Sequence, residues 1–158
     1  MANSLAFRLS GGASNSDPLL SLGGAMSSNA VTANTLFDTV SAAEASPGDV
    51  EYRCFYVYND GTIDLTALSL SISDQPTQGT YAIALDGGGL NATAEGPVAD
   101  ESTAPSGESF GAGPLSLPDL AQTDKIAVWV RRTISASTPG IALGSNTAQF
   151  QVDYEYIP

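Results

Sequence analysis

Asp49-Val50-Glu51-Tyr52-Arg53-Cys54-Phe55-Tyr56-Val57-Tyr58-Asn59 is the longest run in this chain that reads as a strand on composition alone. Phe, Val and three Tyr fall between positions 52 and 58, and such side chains suit a pleated, packed surface. A period of two sends Cys54, Tyr56 and Tyr58 to one face and Arg53, Phe55 and Val57 to the other. Both faces carry groups that pack, as a central strand covered on two sides requires. Gly48-Asp49 opens the run, and Asn59-Asp60-Gly61 closes it with hairpin residues that accept a positive φ. The stretch marks the middle of a β domain and by itself implies no reaction.

Other strands are legible on either side of it. Leu5-Ala6-Phe7-Arg8-Leu9 alternates cleanly and predicts a first, edge strand. From Leu65 to Ser73, Leu68, Leu70 and Ile72 face inward while Ser69, Ser71 and Ser73 face solvent. A turn at 74–79 leads to a strand over Tyr81 to Leu85. Lys125 to Thr133 sets Ile126, Val128 and Val130 on one face and Ala127, Trp129 and Arg131 on the other. Last, Ala148, Phe150, Val152, Tyr154 and Tyr156 alternate with Gln149, Gln151, Asp153 and Glu155, the pattern of a half-buried strand. Residues 35–40 read as a short strand or a single helical turn, 42–47 as a connector, and 90–118 as loop with a short strand around 107–110. Six or seven strands without a helix predict an all-β fold, a single antiparallel β-sandwich of Ig-like or jelly-roll-like type, with a closed barrel as the alternative. No internal repeat is evident, which argues against propellers and solenoids.

Between Ser10 and Ala33 the chain is rich in Gly, Ser, Asn and Ala, and Leu19, Leu20, Leu22 and Met26 are its only apolar anchors. A stretch of this length without periodicity is an arm, a binding loop or disordered, or else a loop draped on its own domain. The sequence accordingly divides into 1–33, a strand plus a long loop-rich N-terminal arm, and 34–158, the sandwich domain.

The 158 residues suffice for one core without staples, and 42% of them are hydrophobic. No apolar run is long enough for a membrane helix. Met1 to Leu5 lacks the basic start and apolar stretch of a signal peptide, so synthesis in a cytoplasm is expected. A single cysteine, Cys54, rules out an internal disulfide and reads as a buried structural thiol. With no histidine, a Ser-His-Asp triad or a His-bearing zinc site is excluded. Seventeen acidic residues face five basic ones, a net charge of −12 that repels phosphate backbones and argues against nucleic acid as a partner. The five basic residues (Arg8, Arg53, Lys125, Arg131, Arg132) fall in expected strands, where they read as ion-pair or interface groups.

Local motifs add little chemistry. Asp60-Gly61-Thr62-Ile63-Asp64 places two carboxylates around a turn but lacks the alternating oxygens of an EF-hand loop, and reads as a hairpin turn. Asp100-Glu101 reads as solvated charge. Gly87-Gly88-Gly89 is followed by neither Lys-Ser/Thr nor a helix start, so it is no phosphate cradle. Asn91-Ala92-Thr93 matches a glycosylation sequon and is read as chance. Arg131-Arg132 is the sharpest feature: on a strand the two project to opposite faces, so one can be buried and paired while its twin meets solvent or a partner. Trp129 shares a face with Arg131, close enough for stacking.

Three segments taken together carry a resemblance: Glu51-Tyr52-Arg53-Cys54-Phe55-Tyr56-Val57, Ala99-Asp100-Glu101-Ser102-Thr103-Ala104-Pro105-Ser106-Gly107 and Ala127-Val128-Trp129-Val130-Arg131-Arg132-Thr133. With Leu9 to Asn15 and Leu22 to Ser27, they resemble the small virion structural proteins of tailed bacteriophages, over roughly Leu9 to Thr133. The C-terminal strand, from Thr147 to Tyr156, departs from that pattern. The resemblance implies a non-enzymatic β domain in the particle, with no catalytic residues, cofactor or metal to carry over. It leaves the part of the particle open; the acidic charge, which packaged DNA would repel, and the Gly/Ser-rich N-terminal section favour a capsid decoration (cement) protein on the virion exterior, synthesised in the host bacterial cytoplasm. Its partners would be the major capsid protein and a second copy of itself, with neither nucleic acid nor membrane. A tail or neck component, or a carbohydrate-binding module stacking sugars on Tyr and Trp129, is the alternative. The partner-binding residues expected are Leu19, Leu20, Leu22, Met26, Arg131 and Arg132, with the arm ordering across neighbouring capsomers. On that view residues up to Ala33 are dispensable for folding.

Overall fold

The computed structural model describes residues 5–32, 35–76, 78–137 and 147–156. Among them seven strands form: β1 (Leu5–Leu9), β2 (Asp49–Asn59), β3 (Leu65–Asp74), β4 (Thr80–Leu85), β5 (Leu115–Ser116), β6 (Lys125–Ile134) and β7 (Gln149–Tyr156). They make two antiparallel sheets, β1-β2-β6-β4 and β5-β3-β7, so the fold is an all-β sandwich. β2 lies in the middle of the larger sheet, between β1 and β6, with Cys54 opposite Trp129 and Phe55 opposite Val128.

The two faces of β2 and β6 divide the core as their alternation requires. Phe55, Val57, Ile126, Val128 and Val130 point into the sandwich and meet Leu65, Leu68 and Leu70 of β3. Phe150 of β7 closes this core against Phe55 and Tyr81, with ring centroids 5.9 and 6.2 Å apart. Burying such a side chain fully stabilises the fold by roughly 1.5–3 kcal/mol, so this inter-sheet layer carries most of the driving force. On the opposite face Cys54, Tyr56, Ala127 and Trp129 form a second cluster, closed by Ala94 and roofed by Met26, Val98 and Phe110 from loops. The larger sheet is therefore covered on both sides, by a sheet and by loops.

Two local features depart from the expected pattern. Leu65 and Leu68 are both buried although three residues apart; a register shift between Thr66 and Ser69, with Ala67 at φ 52°, resets the alternation. Residues 35–40 form neither strand nor helix but bends at Leu36 and Phe37, both buried. The connector after them holds a one-turn helix, α1 (Ala42–Ala45), closed by a capping box between Ser41 and Glu44. No strand forms at 107–110; Gly111 bridges to Ile83 and β5 follows.

The section after β1 shows the draped-loop alternative rather than a free arm. Ser27 N donates to Leu9 O and Val31 N to Phe7 O, so the loop covers the outer edge of β1. Ser10, Ser21 and Ser27 are buried. Deleting residues up to Ala33 would strip an edge strand from the sheet and uncover Tyr56 and Trp129, so the expectation that they are dispensable for folding does not survive.

Candidate functional site

The surface built by residues 10–31 rests on backbone hydrogen bonds that small residues make available. Where β1 stops at Leu9, the next edge positions of β2 need partners. Cys54 N donates to Ser21 O (2.7 Å), and Ser10 Oγ donates to Cys54 O (2.9 Å) while accepting from Gly23 N (3.0 Å). Tyr56 OH donates to Gly24 O (2.7 Å) and accepts from Ala94 N (2.8 Å), joining both roof loops to the sheet. Burial pushes its phenol up to about 12 and lifts the Cys54 thiol well above the usual thiol range. Neither group ionises near neutral pH, so neither supplies a nucleophile.

Gly23 is the tightest point. A Cβ there would lie 2.0 Å from Glu95 O and 2.9 Å from the Trp129 ring, at a φ of +98°. Gly23→Ala is therefore expected to cost about 2–3 kcal/mol, from left-handed strain and overpacking together. A denaturant titration checks this; an unchanged midpoint would mean that the loop is not seated on Trp129.

At the apex, Asp17 Oδ1 accepts from Leu19 N (2.9 Å) and caps a single 3-10 turn, Pro18–Leu20. The turn leaves Leu19 40% and Leu20 59% exposed, side by side on a mount fixed to the sheet. Leu22 and Met26 are half-buried, and Met26 packs on the Trp129 cluster. Of the expected contact residues, the structure thus brings Leu19 and Leu20 to the surface and turns Met26 inward.

The arginine pair separates as alternation requires. Arg131 is half-buried with its guanidinium 5.2 Å from the centre of the Phe110 ring. It stacks there rather than on Trp129, whose Nε1 donates to Asp86 Oδ1 at 2.9 Å. Trp129 is wholly buried, which removes it as a sugar-stacking platform. Arg132 is 1% exposed and lies inside the sandwich. Its guanidinium pairs with Glu51 and Asp38, so as a partner-binding residue it is corrected: the folded chain already uses it.

Around Arg132 sits a polar cluster that alternation alone did not bring together. Glu51 and Arg53, two apart on β2, share the inward face and are fully buried. Arg53 pairs with Glu101, so the Asp100-Glu101 motif is not merely solvated charge. Phe37 lies against both guanidiniums, 5.4 Å from Arg53 and 4.9 Å from Arg132, and edge-on to Tyr81 at 5.4 Å. Burial raises the Glu51 carboxyl above its ordinary value, with the Arg132 hydrogen bond opposing. Burial likewise raises the Tyr81 phenol. Next to this cluster, Phe7, Phe37, Phe55, Tyr81 and Phe150 line an apolar cavity of about 340 Å³.

The remaining motifs keep their plain readings. Asp60 pairs with Arg8 (3.2 Å), and Asp64 Oδ1 accepts from Gln122 N (3.1 Å). Gly87 N and Gly88 N donate to Glu108 and Asp86, so carboxylates of the chain occupy what a phosphate would need. Asn91 is engaged through both side-chain atoms, with Asp124 and with Lys125 N. Compared with known protein families, curated proteins and solved structures, the chain matches none.

Proposed function

We propose that this chain is a non-enzymatic structural protein of a tailed-bacteriophage particle, a decoration (cement) protein on the outer surface of the head. The observation that carries the reading is the Leu19–Leu20 turn: two adjacent exposed leucines on a loop that serine and tyrosine hydrogen bonds fix to a rigid sheet. Scattered single exposed leucines are ordinary; a presented pair on a preorganised mount suits docking into an apolar recess of a capsomer. Binding then costs little loop ordering, unlike an arm that folds on contact.

Charge supports the same location. Arg8, Arg53 and Arg132 are each paired with a carboxylate of the chain, so the internal sites absorb much of its positive charge. The outer field is strongly negative, as the net charge of −12 dictates, and suits the outside of a shell whose interior is packed with DNA. The major capsid protein is the proposed partner, and many weak contacts on a lattice add avidity.

Quantitative mass spectrometry of purified particles tests the assignment. A copy number that scales with capsomers is expected. A copy number matching tail rings would move the chain to the tail, and absence from the particle would overturn the proposal.

A further inference from the structure

The base of β2 holds a second cluster, independent of the particle reading, in which Glu44, Asp49 and Glu51 converge. One carboxylate oxygen of each lies within 4.8 Å of an oxygen of the other two. Each of the three already has one oxygen engaged. Glu44 Oε2 accepts from Ser41 N, Asp49 Oδ1 from Val50 N and Glu51 Oε2 from Arg132. The Glu51 carboxylate is 1% exposed, and its Oε1 is buried without a hydrogen-bond partner among the described residues. An unpaired carboxylate oxygen in that position is costly unless something positive meets it.

Arg132 does not meet that need. Its Nε and Nη2 serve Glu51 Oε2, Nη1 serves Asp38 O, and Nη2 also reaches Asp38 Oδ1. A neighbouring set made of Asp38, Glu51 and Glu101 also shares Glu51, but Arg132 and Arg53 take up oxygens of all three of its members. Across the two sets five carboxylates face two guanidiniums, an excess of three negative charges around one buried oxygen. Every member of that neighbouring set has an arginine as its charge partner, whereas Glu44 and Asp49 accept only from backbone N–H groups, so among the described residues the set still short of positive charge is Glu44, Asp49 and Glu51.

We propose that Glu44, Asp49 and Glu51 bind a divalent hard cation, with Ca²⁺ preferred over Mg²⁺. All three donors are carboxylate oxygens, the chemistry of Ca²⁺ and Mg²⁺ rather than of zinc or copper. Ca²⁺ accepts an irregular, partly hydrated coordination shell, whereas Mg²⁺ demands near-ideal octahedral geometry. Three protein ligands on a partly exposed rim set an expected Kd on the order of 10⁻⁴–10⁻³ M, in the range of extracellular Ca²⁺ modules. A bound ion would tie α1, which carries Glu44, to the start of β2, and would supply the partner that Glu51 Oε1 lacks.

The test uses the full chain, freed of metal with EDTA and titrated with CaCl₂ and MgCl₂ at constant ionic strength by calorimetry and thermal unfolding. One Ca²⁺ per chain is expected, with a rise of roughly 3–5 °C in Tm at about ten times Kd. Glu44→Gln, which retains the capping box, and Asp49→Asn, which leaves the Glu51–Arg132 pair intact, should each weaken binding at least about tenfold. Asp153→Asn, on the exposed face of β7, should leave it unchanged. No heat and no Tm shift would overturn the site. So would a shift that survives both substitutions, because it would mark diffuse counterion binding by an acidic surface.

Discussion

Arg132→Ala is expected to cost about 3–5 kcal/mol of folding stability, because it abandons a buried carboxylate without its charge partner. Glu51 is fully buried beside Arg132, and Arg132 also ties Asp38 to the sheet through its backbone and side-chain oxygens. The large value reflects the stranded Glu51 charge rather than the worth of the pair. Glu51→Leu combined with Arg132→Met should accordingly recover much of the loss, since an apolar pair of similar volume leaves no charge to desolvate. Urea unfolding of the two variants and the parent checks both numbers.

The same pair fixes the sign of a pH dependence. Burial holds the folded Glu51 carboxyl above its ordinary value of 4.5, and Arg132 works against that rise. Between 4.5 and the folded value the folded chain binds more protons than the unfolded one, so Glu51 makes stability fall as pH rises through that window. Without Arg132 the window extends upward. The deficit of Arg132→Ala should therefore be larger at pH 7 than at pH 4, which lies below that window. Glu44 contributes in the opposite sense: its capping hydrogen bonds with Ser41 lower its carboxyl, and its stabilisation is lost as pH falls below 4.5. Arg132 is the smallest of the causes that lower Glu44, so most of that contribution is common to parent and variant. A deficit that grows toward acid pH would contradict the buried-pair description.

Leu19→Ser with Leu20→Ser carries the second large effect, on particle binding rather than on folding. Burying an exposed leucine fully is worth about 1.5–3 kcal/mol, and with 40% and 59% of their surfaces still to be covered, removing both should weaken attachment by roughly 10–10²-fold. Neither side chain belongs to the core clusters, and 40% and 59% of their surfaces face solvent, so the variant should unfold with the parent. Sedimentation of heads lacking the chain, mixed with parent or variant protein, measures the first claim, and a thermal melt the second. Undiminished attachment would rule out the turn as the contact.

What the sequence could show follows from where the information lies. The alternation in Asp49–Asn59 and Lys125–Ile134 is local, and both faces of β2 and β6 pack as their parity dictates. β7 is legible for the same reason, with Phe150 and Val152 inward and Gln149 and Gln151 outward. The Ala67 bulge is invisible to a period-two reading, because one extra residue changes the parity of Leu65 relative to Leu68. The draped loop was open to two readings because serines bind backbone as readily as water. Only the fold shows Ser10 against Cys54, 44 residues away. Leu19 and Leu20 stood out as anchors from composition, although their exposure depends on the Asp17 cap. Arg132 was misplaced toward a partner because a chain with seventeen acids offers every arginine many mates. Its pairing with Asp38, 94 residues away, is a tertiary fact. One signal for the cluster was present in outline: Glu51 and Arg53 share the parity of Phe55 and Val57, so a central strand had to bury them.

Electron cryomicroscopy of particles of the phage proposed to carry this chain tests the central claim most directly. The account predicts density for the sandwich across the head lattice, with the Pro18–Leu20 turn seated in a recess of the capsomer and the loop-covered face of the larger sheet toward the shell. Density confined to the tail, or a head-bound domain whose Leu19 and Leu20 face solvent, would contradict it.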